Sequence, residues 1–393
     1  MAEWKKVQLS DVCEFIRNGY TYTATDFQNG VKISRIETIS DRTVNLNNVG
    51  YAEKPVDKRF LLQRGDILFS HINSLAHIGK TAYFDLDEEL YHGMNLLCIR
   101  NNNSIISKYL FYWLNSPEAN NFYRSFAKKA INQCSISVKE LERISFFLPP
   151  IEEQEKIAEI LSTQDKLIEL KQKFIDQKKQ QKKWLMQNLL TGKIRLKGFS
   201  GEWEKVKLGD VCEIIGGGTP NTSNIDYWNG NIPWISSSDL KEDDIFNISI
   251  KKYITKEAVQ KSSTNICPIN SILLVSRVGV GKIAISNCEI CTSQDFTNII
   301  KCNCDKLYLT YVLYQKMQKE INNLQGTSIK GITSKEIKKF IIIFPPMEEQ
   351  TAIAEILSAQ DKEIELLEKQ LEQEKQKKKA LMQLLLTGKV RVI

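Results

Sequence analysis

Two segments of the chain show the apolar spacing of long α-helices. In the second, apolar residues recur in alternating steps of four and three from Ile353 to Leu385, the heptad pattern of a helix–helix seam. The same steps run from Ile157 to Leu189 in the first. We therefore expect a seam that includes Ile157, Leu161, Ile168, Ile175, Ile353, Leu357, Ile364 and Leu371. Charged residues interrupt the later part of each seam, which must be looser there or covered by something else.

Both segments also carry the signals that begin and end a helix. Each starts directly after a proline pair, Pro149–Pro150 or Pro345–Pro346, and two glutamates follow in the first turn, where the helix dipole favours anions. Each ends at a Thr-Gly-Lys sequence that places Gly192 or Gly388 just past the last turn. At ~1.5 Å per residue, each helix is about 58 Å long.

The two helical segments are near copies of each other. Residues 148–196 and 344–392 align without a gap and share 32 identities in 49 positions. A shorter repeat, beginning at Glu3 and at Glu202, precedes each copy. A period near 200 residues is too long for a solenoid. The sequence therefore predicts two copies of one module, each with a variable globular part and a near-constant helix.

Neither helix has enough apolar seam to be stable alone, and the other copy is its natural partner. The chain order brings the helices side by side most simply if they run antiparallel, and the equivalent residues Gln164 and Gln360 could fix the register. The predicted fold class is α+β. It has mixed α/β domains at 1–150 and 198–346, helices at 151–197 and 347–393 forming a coiled coil, and an internal pseudo-twofold.

Each globular module contains the same sequence of features near its middle. An apolar strand is followed by a serine with a basic or polar neighbour, a loop, and then Gly-Lys. This pattern aligns Ser70–His71 with Ser276–Arg277, and Gly79–Lys80 with Gly281–Lys282. The side chains in these loops differ between the two modules, as expected if each module binds a different target.

Composition is that of an ordinary water-soluble protein, with 42% hydrophobic and 26% charged residues. There is no apolar run long enough to span a membrane and no signal-peptide pattern at the start, so we expect a cytoplasmic protein. The net charge of +7 is spread along the chain and only weakly supports a phosphate-binding surface.

The nine cysteines are scattered, and an odd number is a poor disulfide framework. Four of them, Cys288, Cys291, Cys302 and Cys304, have a spacing that could hold zinc. The matching part of the first module keeps only Cys98, however, and a fold that needs a metal in one copy would need it in both. Plain strand cysteines are the favoured interpretation, and we expect no metal site.

No constellation of catalytic residues is evident in the sequence. The glycines before Lys282 resemble the end of a phosphate-binding loop, but Ser276 stands where the first glycine is required and Ile283 replaces the final Ser or Thr. The three histidines all lie in the first module, whereas a shared catalytic site would need them in both. We therefore expect this chain not to be an enzyme itself.

Taken together, these features resemble the specificity (S) subunits of type I restriction–modification systems, the HsdS family. The resemblance covers essentially the whole chain. It is carried by the duplicated starts at Glu3 and Glu202, Gly216–Pro220, Ile232–Ile235, Ser276–Arg277, and above all P-P-x-E-E-Q-x-x-I-A-E-I-L-S-x-Q-D with its closing L-L-T-G-K.

The resemblance implies two target-recognition domains, each reading one half of a split, asymmetric DNA sequence, with the helix pair setting the gap. It also implies that the chain recruits two methyltransferase subunits and, through them, restriction subunits. We expect no cofactor on this chain, with AdoMet, ATP and Mg²⁺ on the partner subunits. No membrane contact is expected.

Polar loop residues of the two modules are the candidates for contact with double-stranded DNA. In the first module they are His71, Asn73, Lys80, His92, Asn95, Lys128, Lys129, Asn132 and Gln133. In the second module they are Thr219, Asn221, Arg277, Lys282, Gln294, Ser328 and Lys330. Arg277 could read a guanine through two parallel hydrogen bonds.

Two other functions remain open at this level. The chain could be a coiled-coil structural or adaptor protein without a DNA role, although a rod of that kind has no reason to carry two divergent modules. It could also be a free-standing nuclease, since acidic nuclease motifs are loose. Methylation confined to a split DNA motif would separate the leading hypothesis from both.

Overall fold

The computed structural model describes residues 3–40, 42–54, 56–74, 77–126, 128–129, 134–323 and 331–392. These residues form two compact units, one made of residues 1–173 with 369–393 and the other of residues 174–368. Each unit combines one globular module with a part of both long helices. The prediction of mixed α/β modules and two long helices is confirmed.

The first module consists of short strands and short helices that lead into the first long helix. In chain order they are β1 (Lys5–Gln8), α1 (Leu9–Val12), β2 (Cys13–Asn18), β3 (Gly30–Ile33), β4 (Ile39–Ser40), β5 (Thr43–Val44), β6 (Gly50–Glu53), β7 (Ile67–Phe69), β8 (Ile72–Asn73), β9 (Thr81–Tyr83), β10 (Leu97–Asn101), α2 (Ser107–Leu114), α3 (Pro117–Phe126), β11 (Lys128–Lys129), β12 (Cys134–Ser135), α4 (Val138–Glu142), β13 (Ser145–Leu148) and α5 (Ile151–Leu189).

The main sheet of this module has the strand order β2-β10-β7-β9-β5-β4, and all its pairings are antiparallel except β5 with β9. Strand β7 and the first three residues of its neighbour β10 are apolar and buried, as expected for strands covered on both faces. Helix α2 packs against this sheet with Tyr109 and Trp113 in the core. Smaller sheets pair β1 with β13, β3 with β6, and β11 with β12 and β8.

The second module repeats this plan with its own set of elements. They are β14 (Glu204–Lys207), α6 (Leu208–Val211), β15 (Cys212–Gly216), β16 (Ile232–Ile235), β17 (Lys252–Ile254), α7 (Lys256–Gln260), β18 (Ile266–Cys267), β19 (Ile272–Val275), β20 (Ile283–Ile285), β21 (Ile290–Thr292), β22 (Phe296–Cys302), α8 (Lys306–Asn323), α9 (Ser334–Lys338), β23 (Ile341–Phe344) and α10 (Met347–Leu385).

Its main sheet, β15-β22-β19-β20, corresponds to β2-β10-β7-β9 of the first module. A second sheet, β17-β16-β21-β18, holds the buried Trp234 and Cys291 and has no counterpart of the same order in the described part of the first module. The pair β14–β23 repeats β1–β13. The two modules therefore share a frame and differ in what is added to it.

The core of each unit is completed by two helix segments that come from different repeats. In the first unit, Ile157 and Leu161 near the start of α5 pack in one cluster with Met382 and Leu385 near the end of α10. In the second unit, the start of α10 and the end of α5 pack in the same way. The second set is Ile353, Ala354, Leu357, Met186, Leu189 and Leu190.

Polar contacts within the first unit show that its two helix segments run antiparallel. Gln164 donates from Nε2 to the carboxylate of Glu374 at 2.8 Å and to the Glu374 carbonyl at 3.2 Å. Lys171, about two turns later in α5, contacts Gln370, which lies earlier in α10. Gln360, the repeat counterpart of Gln164, instead donates to Glu363 of its own helix at 3.3 Å.

The predicted seam residues are distributed over the two units. Ile157, Leu161 and Leu371 are buried in the first unit, where Ile168 is half-buried. The remaining four are buried in the second unit. They are Ile175, Ile353, Leu357 and Ile364.

A buried glutamate in the first turn of α5 binds both ends of the chain. Glu153 accepts hydrogen bonds from the Trp4 indole at 3.0 Å and from two nitrogens of Arg391 at 2.7 and 2.8 Å. Burial alone would raise the pKa of Glu153, but the hydrogen bonds from Arg391, Trp4 and the Val392 amide hold it below its usual value. These contacts of Glu153 with Trp4 and Arg391, called the clamp below, join the start of α5 to the segment that follows α10.

The second unit repeats this clamp at equivalent residues. Glu349, with a fully buried side chain, binds Arg195 and accepts from the Trp203 indole at 3.1 Å. Gly388 and Gly192 have positive φ and lie flat against the Trp4 and Trp203 rings, where a Cβ would come within 3.4 Å of the indole carbons. The near-identity of the duplicated segments follows, because each must fit the same clamp.

Two charged seam residues, Lys378 and Lys182, are covered by the globular modules. In the first unit, Asp165 binds Lys378 of α10 and accepts from the Tyr112 hydroxyl of α2 at 2.9 Å. Burial lowers the pKa of Lys378, and the partner Asp165 opposes that shift. In the second unit Asp361 binds Lys182 and Tyr311, the latter at 2.6 Å. Each network ties a module to both helices.

We predict that Glu153→Ala lowers the free energy of unfolding of the first unit by about 2 kcal/mol. Removing one partner of a buried pair leaves the other uncompensated, and the figure is at the lower end of the usual range because the Arg391 side chain keeps 26% exposure. Urea titration followed by tryptophan fluorescence measures the change. Glu152→Ala, at an exposed position in the same turn, is the matched control and should change stability by less than about 0.5 kcal/mol. Equal effects of the two variants would contradict the clamp.

Candidate nucleic-acid interface

The first module presents an eleven-residue loop between β7 and β9 that contains three of the candidate residues. The Ser70 amide donates to the Lys80 carbonyl at 2.8 Å and closes the loop. Gly79 has a φ of +80°, and a Cβ there would lie 2.3 Å from the Tyr123 ring, so only glycine fits. Lys80 is exposed at the end of the loop.

A small sheet brings further candidates to the same place. Strand β8 pairs Asn73 with Cys134 of β12, and Cys134 pairs in turn with Lys129 of β11. Backbone positions of Asn73, Lys128 and Lys129 therefore lie on one sheet of the first module. The Asn73 side chain donates to the Ser70 hydroxyl at 3.1 Å, which fixes its orientation in the loop.

Both candidate histidines are buried. His92 is 1% exposed, and its Nε2 is paired with the Leu96 carbonyl at 3.0 Å. Burial lowers the pKa of His92 to about 4; the hydrogen bond to Leu96 opposes this shift, and the charges of Arg17 and His71 add to it. Burial also lowers the pKa of His71, which is 8% exposed. Asn95 is exposed and has a φ of +71°.

In the second module the equivalent loop runs between β19 and β20. The Val275 amide donates to the Lys282 carbonyl at 2.9 Å, as Ser70 donates to Lys80. Arg277 is exposed near the tip of the loop. The ammonium group of Lys282 instead turns back and donates to the carbonyls of Leu240 at 3.0 Å and Ser237 at 3.3 Å. Lys282 thus holds a neighbouring turn in place.

The residues after Ser70 and Val275 also make equivalent backbone hydrogen bonds. The His71 carbonyl accepts a hydrogen bond from the Ile136 amide at 2.9 Å, and the Ser276 carbonyl accepts one from the Ile332 amide at 2.8 Å. His71 therefore occupies the position of Ser276 in the second module.

The alignment of Ser70–His71 with Ser276–Arg277 is consequently wrong by one residue. Ser70 corresponds to Val275, and Arg277 corresponds to Ile72. Matching the two serines by residue type left Val275 without a counterpart, whereas the backbone hydrogen bonds of the loops place Val275 at the position of Ser70. The three additional residues of the first loop lie after this position. The alignment of Gly79–Lys80 with Gly281–Lys282 agrees with the backbone hydrogen bonds of both loops.

A second loop of this module follows β15. Thr219 donates from its hydroxyl to the side chain of Gln294, so these two candidates are in contact. The preceding Gly217 leaves no room for a side chain, since a Cβ would lie 2.1 Å from the Ser293 carbonyl oxygen. Asn221 is exposed and accepts on Oδ1 from the Ser223 amide at 3.0 Å.

Some candidates lie outside the described residues, namely Asn132, Gln133, Ser328 and Lys330. For Lys128 and Lys129 only the backbone is described. One exposed residue was missed by reasoning from polar loops: Val278, beside Arg277, is 72% exposed. The sequence signal that could have identified Val278 is an apolar side chain next to a basic residue in a loop, because thymine methyl groups are read by apolar contact.

The four cysteines with metal-like spacing do not meet in one place. Cys291 packs with Trp234 between the strands of the second sheet, whereas Cys302 and Cys304 pack against the core of the second unit. Across the described ranges, no group of three or more His, Cys, Asp or Glu side chains could hold a metal ion. Within the same ranges, no helix is long and apolar enough to cross a membrane.

Comparison with known proteins accounts for this arrangement. The family model described as type I restriction modification DNA specificity domain matches residues 1–179 and again residues 200–376. The chain belongs to this family. A putative type I restriction enzyme specificity subunit, MjaX, from Methanocaldococcus jannaschii is 37% identical over 409 residues, which cover 99% of this chain and 94% of that one. The chain is thus a DNA-recognition subunit, a component that is not itself catalytic.

Solved structures share the fold at low sequence identity. A chain from a study of complex assembly and conformational transition of the type I R–M system superposes with a TM-score of 0.62 at 18% identity and covers 99% of both chains. The type I restriction–modification S subunit from M. genitalium superposes with a TM-score of 0.59 at 12% identity, covering 98% of this chain and 96% of that one. These likenesses support the fold of the specificity subunit.

We predict that the first unit of this specificity subunit loses stability between pH 7 and pH 4 through His92. Its folded pKa, about 4, lies below the ordinary 6.5, so the unfolded chain takes up a proton first as the pH falls. The stabilisation is complete above pH 6.5, and about 2 kcal/mol of it is lost by pH 5. Urea titrations of His92→Gln should show a correspondingly smaller pH dependence. His77→Gln, at an exposed position, is the control; an unchanged pH dependence in His92→Gln would contradict the prediction.

Proposed function

We propose that this specificity subunit reads a split, asymmetric DNA sequence, with one recognition domain for each half. The observation that carries the proposal is that the two modules hold different side chains on one common backbone frame. Ile72 stands where the second module has Arg277, and His71 where it has Ser276. A shared frame with unlike loop residues suits two different half-sites presented to one protein.

Within each domain, we assign different tasks to exposed and buried candidates. Exposed polar side chains at loop positions, such as Arg277, Asn221 and Gln294, would reach base edges in the major groove. Exposed Lys80 would contact phosphate and fix position. Buried His92 and the internally bonded Lys282 would shape the loops without touching DNA.

We further propose that α5 and α10 form an antiparallel coiled coil with a pseudo-twofold, and that this pair sets the gap between the half-sites. The antiparallel contacts inside each unit and the matched clamps at Glu153 and Glu349 support this. A helix of 39 residues is about 58 Å long, which limits the separation to about one and a half turns of duplex.

Methylation and cleavage would be carried out by partners recruited to this chain. We propose two methyltransferase subunits, with restriction subunits bound through them, and AdoMet, ATP and Mg²⁺ on those partners. The positions that are identical in the two helical repeats give both repeats a common surface, which suits two copies of one partner. The complex would act on cellular DNA in the cytoplasm.

The direct test is methylation of random DNA duplexes by the subunit with its methyltransferase partner and AdoMet. We predict one split motif for the wild-type chain. Arg277→Ala should relax one position in one half-site by about tenfold and leave the other half unchanged. Tenfold is about 1.4 kcal/mol, which lies within the ~1–3 kcal/mol of discrimination that a bidentate base contact supplies.

Arg277→Lys is the matched variant for that experiment, because it keeps the charge but cannot make the bidentate contact. It should relax the same position while preserving the salt dependence of binding. Unaltered motifs for both variants would remove Arg277 from base reading. Sequence-blind methylation by the wild-type complex would refute the function as a whole and favour an adaptor role.

A further inference from the structure

Three cysteines of the second unit lie together where β15 begins and β22 ends. Cys212 opens β15 and is the direct cross-strand partner of Cys302, the last residue of β22. Cys304 follows two residues later, and the Cys302 Sγ lies 3.5 Å from its carbonyl oxygen. The group brings together cysteines from distant parts of the sequence.

The geometry suits a disulfide between Cys212 and Cys302. Residues directly opposite each other on antiparallel strands have Cα atoms about 4.5 to 5.5 Å apart, and disulfides need roughly 4.4 to 6.8 Å. All three cysteines are partly accessible rather than fully buried. By contrast, Cys267 and Cys291 are fully buried and lie diagonally on neighbouring strands.

The chemistry of the group also singles out one thiol. Hydrogen bonds from Cys212 and Cys304 lower the pKa of Cys302 and favour its thiolate, which is the reactive form. Hydrogen bonds with Cys212 and Cys302, followed by burial, raise the pKa of Cys304. A thiolate flanked by two protonated thiols is the arrangement in which one sulfur is oxidised and a neighbour resolves it.

The first recognition domain provides a natural comparison. Cys13 occupies the position of Cys212, but its cross-strand partner is Asn101. Burial, followed by the charge of Glu142, raises the pKa of Cys13 to about 12, so it has neither a resolving partner nor thiolate character. The cluster is thus a feature of one repeat only, and the clamps and the shared frame do not require it.

We propose that Cys212 and Cys302 form an oxidant-sensitive modification site that closes to a disulfide in the presence of a peroxide. The Cys302 thiolate attacks hydrogen peroxide, breaking the O–O bond to form a sulfenic acid and hydroxide, and the hydroxide takes up the proton that the thiol had released to give water. The Cys212 thiol then attacks that sulfur, forming the S–S bond and releasing a second water. Two thiols and one peroxide thus give one disulfide and two waters. The bond ties β15, which leads into the Gly216–Thr219 loop, to β22.

The test is peroxide treatment of the full chain, alkylation of remaining thiols, trypsin digestion and mass spectrometry. Cleavage at lysines separates Cys212, in peptide 208–241, from Cys302 and Cys304, in peptide 302–306. The proposal predicts that these two peptides become linked before any other cysteine reacts, and that dithiothreitol reverses the link. The Cys13 peptide, 7–17, should stay alkylated throughout.

Two variants assign the sulfurs. Cys302→Asn copies the residue found in the first domain and should abolish the link, whereas Cys304→Ser should keep it. A link confined to peptide 302–306, or one that survives in Cys302→Asn, would overturn the pairing. Unlinked peptides from wild-type protein, folded as judged by an unchanged urea transition, would overturn the site itself.

Discussion

The structure depends on one arrangement: the core of each unit is completed by the ends of two helices that belong to different repeats. Glu153 at the start of α5 binds Arg391 beyond the end of α10, and Glu349 at the start of α10 binds Arg195 beyond the end of α5. Apolar residues of the same helix ends complete each core. Neither module can bury its own helix alone, so folding of each half requires the other half of the chain.

Buried ion pairs fix the register of the two long helices within each unit. Burying a lysine costs several kcal/mol unless it is paired, so Lys378 and Lys182 are stable only opposite Asp165 and Asp361. A tyrosine hydroxyl from the module completes each network, which leaves one arrangement of module and helices fully hydrogen-bonded. A shift of the helices by one turn would leave these charges unpaired, whereas an all-apolar seam would tolerate it.

Much of the architecture could be predicted from the sequence, because helix pairs and duplicated modules leave periodic signals. The long helices, their proline starts and the paired modules follow from such signals. The cover over the charged seam residues could not be predicted, since it needs Tyr112 and Tyr311 from distant helices. The one-residue offset between Ser70 and Ser276 could not be detected from residue types, because only the backbone hydrogen bonds show that Ser70 corresponds to Val275. Burial of His92 was likewise hidden, because histidine is common in both loops and cores.

The central claim is that the helix pair fixes the distance between two readers of DNA. Inserting four residues into both helices, after Lys173 and after Glu368, keeps the contacts within each unit. It lengthens each helix by about 6 Å. Mapping methylated sites across a random duplex library, with the methyltransferase partner present, measures the effect. The account predicts the same two half-sequences separated by one or two more base pairs, whereas altered half-sequences or an unchanged gap would contradict it.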